Sequence, residues 1–202
     1  MKLSTVILLC AGTFIAANAA VFEFDFGPGG MNGANQRPNP LLTTATGGEL
    51  TPFFPDEPGI SYDNSTHQLF LNFTWGAALG YTDLVGNFLG ARIYGPADEN
   101  SEGGALYSLN GLVNTISSGG HSGGVFQRAL QLIDNPDTTS YSIAQQEAQL
   151  FAGRWYINVH SSFAPSGEIR GQLVAVPEPR DYALVGSLTL LAFCACRKLK
   201  GA

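Results

Sequence analysis

The chain has 202 residues, of which 45% are hydrophobic and 13% charged, and its formal net charge is −6. This length suits one ordinary domain with targeting segments, and the apolar share is sufficient for a packed core. The acidic balance argues against a nucleic acid partner, because phosphate contacts need a basic patch. The 25 glycines favour a structure with many turns, such as a sandwich or a barrel.

Residues 1–19 have the features of a secretory signal peptide. Lys2 supplies a minimal positive region, an apolar run extends from Val6 to Ala17, and Ala17 and Ala19 form a small-x-small cleavage pattern. We therefore predict export, with cleavage after Ala19. The alternative is a retained membrane anchor, which the shortness of the apolar run disfavours.

Short strands separated by turn signals dominate the body of the chain, a pattern typical of a β-sandwich with Greek-key connections. Leu41 to Gly59 holds three prolines and favours only short extended pieces. One short helix is predicted, with Ser142 as its N-cap, Gln145 three residues on, and Gly153 as its stop. The pattern predicts strands at Val21–Phe26, Gln68–Trp75, Ala91–Tyr94, Ala105–Leu109, Leu112–Ile116, Gly124–Ile133, Trp155–His160 and Glu168–Val174.

The last two strands form a predicted hairpin, since Pro165, Ser166 and Gly167 between them are turn residues. This hairpin resembles the CHRD domain, which was first named in the vertebrate protein chordin and is common in bacterial secreted proteins. In this family the region usually has the sequence Tyr-x-Asn-x-His-Thr, followed by Pro-x-Gly-Glu-Ile-Arg-Gly. The residues here that carry the match and that we predict to hold the hairpin are Trp155, Tyr156, Asn158, His160, Pro165, Gly167, Glu168, Arg170 and Gly171.

The resemblance implies an all-β, immunoglobulin- or superoxide-dismutase-like sandwich over residues 20–175. It implies no defined reaction, because chordin binds growth factors and bacterial members have no established activity. Arg92 and Tyr94 stand where the family has two histidines of an Ala-His-Ile-His-Gly-Pro-Ala run. We therefore predict no metal and no cofactor, with a degenerate metal-dependent oxidoreductase as the alternative.

The C-terminal residues 176–202 resemble the PEP-CTERM sorting signal of Gram-negative bacteria. That resemblance implies a transmembrane helix at 182–196, recognition and cleavage by a membrane exosortase, and association with extracellular polysaccharide and biofilm matrix. A plain C-terminal anchor is the alternative, and the basic end stays cytoplasmic under the positive-inside rule. The residues that carry the match are Val176, Pro177, Glu178, Pro179, Arg197, Lys198 and Lys200.

Other patterns in the body are weak signals of chemistry. The sequence from Gly120 to Gly124 satisfies Gly-x-Ser-x-Gly, but a strand is predicted after it where a nucleophile elbow needs a helix. The acidic residues Asp98, Glu99, Glu102, Asp134 and Asp137 could supply oxygen ligands for calcium, although solvated loops are the favoured interpretation. Trp75, Trp155 and the tyrosines could stack on sugars, but core packing is favoured.

The hairpin also concentrates ionisable side chains. We expect either an ion pair between Glu168 and Arg170 or a hydrogen bond between Glu168 and His160 across the hairpin. We also expect the ring nitrogens of His160 to bond neighbouring backbone. The overall expectation is a non-enzymatic exported protein. Its partners would be an exosortase-type enzyme, the membrane through its C-terminal helix, and extracellular polysaccharide.

Overall fold

The computed structural model describes residues 20–49, 59–110, 114–116, 122–137 and 139–177. The predicted signal peptide and the sorting tail beyond Pro177, with its predicted helix at 182–196, lie outside the described residues. Within the described ranges, none of the helices combines the length and apolar character that crossing a membrane requires.

The described chain is an antiparallel all-β structure with one α-helix, consistent with the predicted sandwich. The helix α1 spans Ile143–Phe151, as predicted, and two 3₁₀ turns lie at Gly33–Asn35 and Ala77–Leu79. The strands are β1 Val21–Phe26, β2 Met31–Asn32, β3 Thr46–Glu49, β4 Ile60–Asp63, β5 Gln68–Trp75, β6 Phe88–Gly95, β7 Gly104–Ser108, β8 Asn114–Ile116, β9 Gly123–Gln131, β10 Tyr156–Ser161 and β11 Ile169–Ala175.

The strand pairings close on themselves because β5 and β11 each change partner along their length. The last strand pairs Arg170 with Asn32 of β2 and, further on, Leu173 with Phe26 of β1. In the same way β5 pairs first with β4 and then with β3. The ring β1–β4–β5–β3–β2–β11 is extended from β11 by β10, β6 and β7, and from β5 by β9 and β8.

The core is built from every second residue along each strand, the residues that point inward, as period-two patterning predicts. In β1, Phe24 and Phe26 are buried whereas Glu23 and Asp25 are exposed. The expected core packing of both tryptophans is confirmed, since Trp75 and Trp155 are fully buried.

The helix begins and ends where the sequence indicates. The Ser142 hydroxyl accepts the Gln145 amide, and the Gln145 side chain accepts the Ser142 amide, which completes a capping box. Gly153 then adopts a φ of +66°, the left-handed conformation that ends helices. The buried side chains of the helix are Gln146 and Leu150, and the helix lies against β11.

Two short strands were not predicted from the pattern, whereas Thr46–Glu49 is a short extended piece of the kind expected between Leu41 and Gly59. Of the two, Met31–Asn32 lies in a stretch rich in glycine, proline and asparagine, and Ile60–Asp63 follows a proline-rich segment. Their pairing depends on distant strands rather than on local propensity. β2 and β3 link β11 to β5 and so close the ring.

Candidate functional site on the outer face of the closing hairpin

Alternation along β10 divides the hairpin into two faces. Ile157 and Val159 point to the core, whereas Tyr156, Asn158 and His160 point to the opposite side. The register across β10, β11 and β6 places further polar residues beside them. We call this set the outer face, and it consists of Arg92, Tyr94, Tyr156, Asn158, His160, Arg170 and Gln172.

One half of the outer face is covered by the loop between β6 and β7. The guanidinium of Arg170 donates to the carbonyl oxygens of Ser101 and Asp98, both at 2.8 Å, and to Oε1 of Gln172 at 3.0 Å. Its Cζ lies 3.6 Å from the ring centroid of Tyr156, a cation–π contact. Arg170 is only 2% exposed. The predicted acidic loop therefore uses its backbone to hold an arginine.

Asn158 fixes the turn of the hairpin. Its Oδ1 accepts Nε2 of Gln36 at 2.8 Å, and its Nδ2 donates to the carbonyl of Ser166 at 3.3 Å. The side chain lies against Gly167, where an added Cβ would come within 2.2 Å of Nδ2. Gly167 has a φ of +135°, so both space and backbone conformation require glycine there.

The other half of the outer face is open. The Tyr94 hydroxyl lies 3.1 Å from Nε2 of His160, and Nδ1 of His160 lies 2.9 Å from the Pro165 carbonyl. A carbonyl can only accept, so Nδ1 carries a proton, and in the neutral ring Nε2 accepts from Tyr94. Burial, and then the charge of Arg92, lower the pKa of His160, against an opposing effect of the Pro165 bond.

This open half forms a cavity of ≈ 290 Å³, which we call the open cavity. Arg92, Tyr94 and His160 line it together with Leu89 and Asn110. Tyr94 also stacks on Tyr156, with ring centroids 5.3 Å apart and planes inclined by 11°. The stack joins the open cavity to the covered half of the face, and it holds Tyr94 in one position.

The expected role of His160 is confirmed in part, because one ring nitrogen bonds backbone of its own hairpin. The expected contacts of Glu168 are wrong. Its fully buried carboxylate accepts the Ser161 hydroxyl, the Thr43 hydroxyl at 3.0 Å and the Val85 amide at 2.7 Å. Glu168 precedes β11 and turns toward these loops, whereas Arg170 lies inside the strand and faces the opposite loop.

The sequence pattern did not identify the partners of the buried residues. Gln36, Thr43 and Ser161 each supply a polar atom to Asn158 or Glu168. A buried carboxylate needs several hydrogen-bond donors, and the hydroxyl of Ser161 is the one donor that could have been predicted for Glu168, because it lies nearby in the sequence. Gln36 and Thr43 lie more than a hundred residues earlier and gave no such signal.

Of the remaining candidate residues, His67 and Asp134 lie apart from this face, whereas Asp137 contacts Arg92 at its edge. Nδ1 of His67 lies 3.0 Å from Oε1 of Glu147. Asp134 accepts the Ile143 amide at the start of α1, and Asp137 lies 3.5 Å from Arg92. Within the described ranges, no three histidine, cysteine or acidic side chains converge as a metal site would require.

The Gly-x-Ser-x-Gly pattern lacks the structure that its chemistry needs. Only Ser122, Gly123 and Gly124 of the motif are described. Gly123 and Gly124 begin β9, a strand, where a nucleophile elbow requires a helix. The Ser122 carbonyl accepts the amide of Leu84, which ties this end of the motif to another loop.

Comparison with known protein families supports the resemblance that the motif residues of this face indicate. The model of the CHRD domain matches residues 29–173. The chain belongs to the CHRD domain family. No curated protein and no solved structure matches it. In this CHRD domain the residues of the family motif are divided between two tasks. Asn158, Gly167 and Glu168 hold loops in place, whereas Tyr156 and Arg170 build the covered half of the outer face.

Proposed function

We propose that this CHRD-domain protein is an exported binding module without catalytic activity, acting at the cell surface or in the extracellular polysaccharide matrix. We further propose that its fold is a Greek-key sandwich of the immunoglobulin or superoxide dismutase type. The observation that carries the binding role is the open cavity. It offers a phenol, an imidazole, a guanidinium and an amide beside the apolar Leu89.

Such a set suits a hydroxyl-rich ligand. Sites for small ligands combine apolar surface with a few fixed polar groups. Both ring nitrogens of His160 are already committed, to Tyr94 and to Pro165, so this imidazole is placed to shape the cavity rather than to move protons. The Tyr94–Tyr156 stack keeps the cavity pre-formed, which lowers the entropic cost of binding.

The address signals support the proposed location. The signal peptide at 1–19 would export the body, and the tail from Val176 would be recognised by an exosortase-type enzyme. Helix 182–196 would hold the protein in the membrane, with Arg197, Lys198 and Lys200 on the cytoplasmic side. The body would then stay at the surface, or enter the matrix after cleavage.

The test is retention of the full chain on the extracellular polysaccharide of the organism that produces it. We expect the wild-type chain to be retained and the Arg92→Ala variant to be retained less. Arg128→Ala is the matched control, because Arg128 is exposed on β9, away from the open cavity. If both variants are retained equally, the open cavity is not the binding site. If the wild type is not retained, the protein does not bind this polysaccharide.

A metal analysis separates this proposal from the enzymatic alternative. Stoichiometric copper or zinc in the purified full chain, bound in a manner that depends on His160, would favour a degenerate oxidoreductase. We expect metal well below one equivalent per chain.

A further inference from the structure

A second, smaller cavity of ≈ 50 Å³ lies on the β11 side of the outer face. We call it the arginine cavity, because two arginines line it, Arg37 and Arg170. Asn35, Glu99 and Gln172 complete its polar lining, with Gly27 and Pro28 around them. The open cavity lies on the β6 side and shares none of these residues.

Arg170 is a buried cation whose hydrogen bonds go only to neutral oxygens, beside its cation–π contact with Tyr156. Its three hydrogen bonds go to two backbone carbonyls and to Gln172. The ion pairs among the described residues are His67–Glu147 and Arg92–Asp137, so no carboxylate pairs with Arg170 in this part of the chain. Buried charges normally gain an opposite charge or a full set of hydrogen bonds. A guanidinium has five N–H donors, and three bonds leave part of this capacity unused.

Arg37 adds a second cation at the same cavity. Its Nη1 donates to the carbonyls of Ala34 and Gln36, both at 2.8 Å, and its other nitrogens have no partner among the described residues. Burial lowers the pKa of Arg170, and the nearby charge of Arg37 acts in the same direction, whereas Tyr156, Glu102 and Asp98 act in the opposite direction. Two like charges brought together beside a polar cavity favour a counter-ion between them.

We propose that the arginine cavity binds one oxyanion, a carboxylate or a sulfate, between Arg37 and Arg170. Guanidinium groups bind these anions through paired N–H donors. A volume of ≈ 50 Å³ admits the anionic group alone, so the rest of a larger ligand, such as the ring of an acidic sugar, stays outside.

Glu99 sets the affinity of this site. Its carboxylate lines the cavity from the exposed rim and makes no ion pair within the described chain. An incoming anion therefore meets a like charge at the entrance. Removal of that charge should tighten binding, whereas removal of Arg37 should weaken it.

The experiment is a titration of the full chain, labelled with ¹⁵N-arginine, followed by the Nε–Hε resonances at constant ionic strength. The probes are sulfate, acetate and glucuronate, with neutral glucose as the reference. We expect saturable shifts for the three anions and none for glucose. Arg37→Gln should weaken sulfate binding about tenfold, as the loss of a charge-assisted hydrogen bond predicts. Glu99→Gln should tighten it several-fold.

Two control variants make the result specific. Arg128→Gln removes the same charge from exposed β9, and Arg92→Gln removes it from the open cavity. We expect sulfate affinity within twofold of wild type in both. Equal weakening in Arg37→Gln and Arg128→Gln, or no saturable shift, would overturn the site. Tighter binding of glucuronate than of acetate would assign the site to acidic sugars, and equal binding would assign it to free oxyanions. Neither result depends on polysaccharide binding in the open cavity.

Discussion

The hydroxyl of Tyr94 lies 3.1 Å from Nε2 of His160, on neighbouring strands at one end of the outer face. The residue pair joins β6 to the tip of the hairpin, since Nδ1 of the same ring bonds Pro165. The imidazole is thus held from both sides. Its neutral form satisfies both contacts, and this relationship leads to the first two predictions.

Removal of the Tyr94 hydroxyl should destabilise the fold modestly. Tyr94→Phe keeps the ring stacked on Tyr156 but leaves Nε2 of His160 without its donor. We expect the free energy of unfolding to fall by about 1 kcal/mol in urea denaturation. Tyr141→Phe is the matched control, because the Tyr141 hydroxyl has no partner among the described residues. Equal losses in the two variants would show that the Tyr94–His160 bond contributes nothing.

The lowered pKa of His160 should make the protein less stable in mild acid. The native ring resists protonation, whereas the unfolded ring takes up a proton near its ordinary pKa of about 6.5. Below that pH the unfolded state binds more protons, so the free energy of unfolding falls as pH decreases. His160→Gln should show a smaller decrease between pH 7.5 and 5.5 in urea denaturation.

A second group acts in the opposite direction. Burial, with the nearby Asp25 and Glu23, raises the pKa of Glu49 from 4.5 to about 7. The native state therefore binds more protons than the unfolded state between these values, and this term raises stability as pH falls. The comparison that isolates His160 is the difference between wild type and His160→Gln at each pH. Parallel curves for the two proteins would contradict the prediction.

The local sequence pattern correctly predicted the strands and the helix whose own residues have a clear periodicity, composition or cap. Val21–Phe26 alternates clearly, Gln68–Trp75 is rich in aromatic and β-branched residues, and Ser142 caps the helix, and all three are found as predicted. The hairpin turn was also predicted, since Pro165 and Gly167 restrict the backbone in complementary ways.

The contacts of the outer face could not be predicted, because they depend on distant loops. Glu168 and Arg170 were expected to meet as residues two apart in one strand. Glu168 instead precedes the strand and accepts the Val85 amide, 83 positions earlier in the chain. Arg170 reaches the carbonyls of Asp98 and Ser101. The sequence indicated which residues matter at the hairpin, but the fold decided what they contact.

Loss of the Glu168 carboxylate should be strongly destabilising. This buried group joins three segments, through the Thr43 hydroxyl, the Val85 amide and the Ser161 hydroxyl. Glu168→Ala leaves these donors without a partner, and we expect a loss of about 3 kcal/mol or more. Exposed Glu23 provides the control, since Glu23→Ala removes the same charge. A loss below about 1 kcal/mol for Glu168→Ala in urea denaturation would refute this role.

Two glycines with positive φ should respond differently to alanine. Gly80 has a φ of +87° and nothing within 4 Å of an added Cβ, so Gly80→Ala tests backbone strain alone. We expect it to cost about 1 kcal/mol. Gly167→Ala would add a clash with Asn158 to its strain and should cost clearly more, about 2 kcal/mol or above. Equal shifts of the thermal unfolding temperature in Gly80→Ala and Gly167→Ala would mean that the Asn158 side chain moves away from the added methyl group at no cost.

The proposed sorting signal is tested by the triple substitution Pro177→Ala, Glu178→Ala and Pro179→Ala, in cells that contain an exosortase. We expect the wild type at the surface or in the medium, and the variant in the inner membrane, because the tail would still insert but would not be processed. Unchanged unfolding of the purified variant would show that the body is intact. If the variant still reaches the surface, the tail acts as a plain C-terminal anchor and not as a sorting signal. Retention of both proteins in the cytoplasm would contradict the predicted signal peptide with cleavage after Ala19, because export precedes every later step of this route.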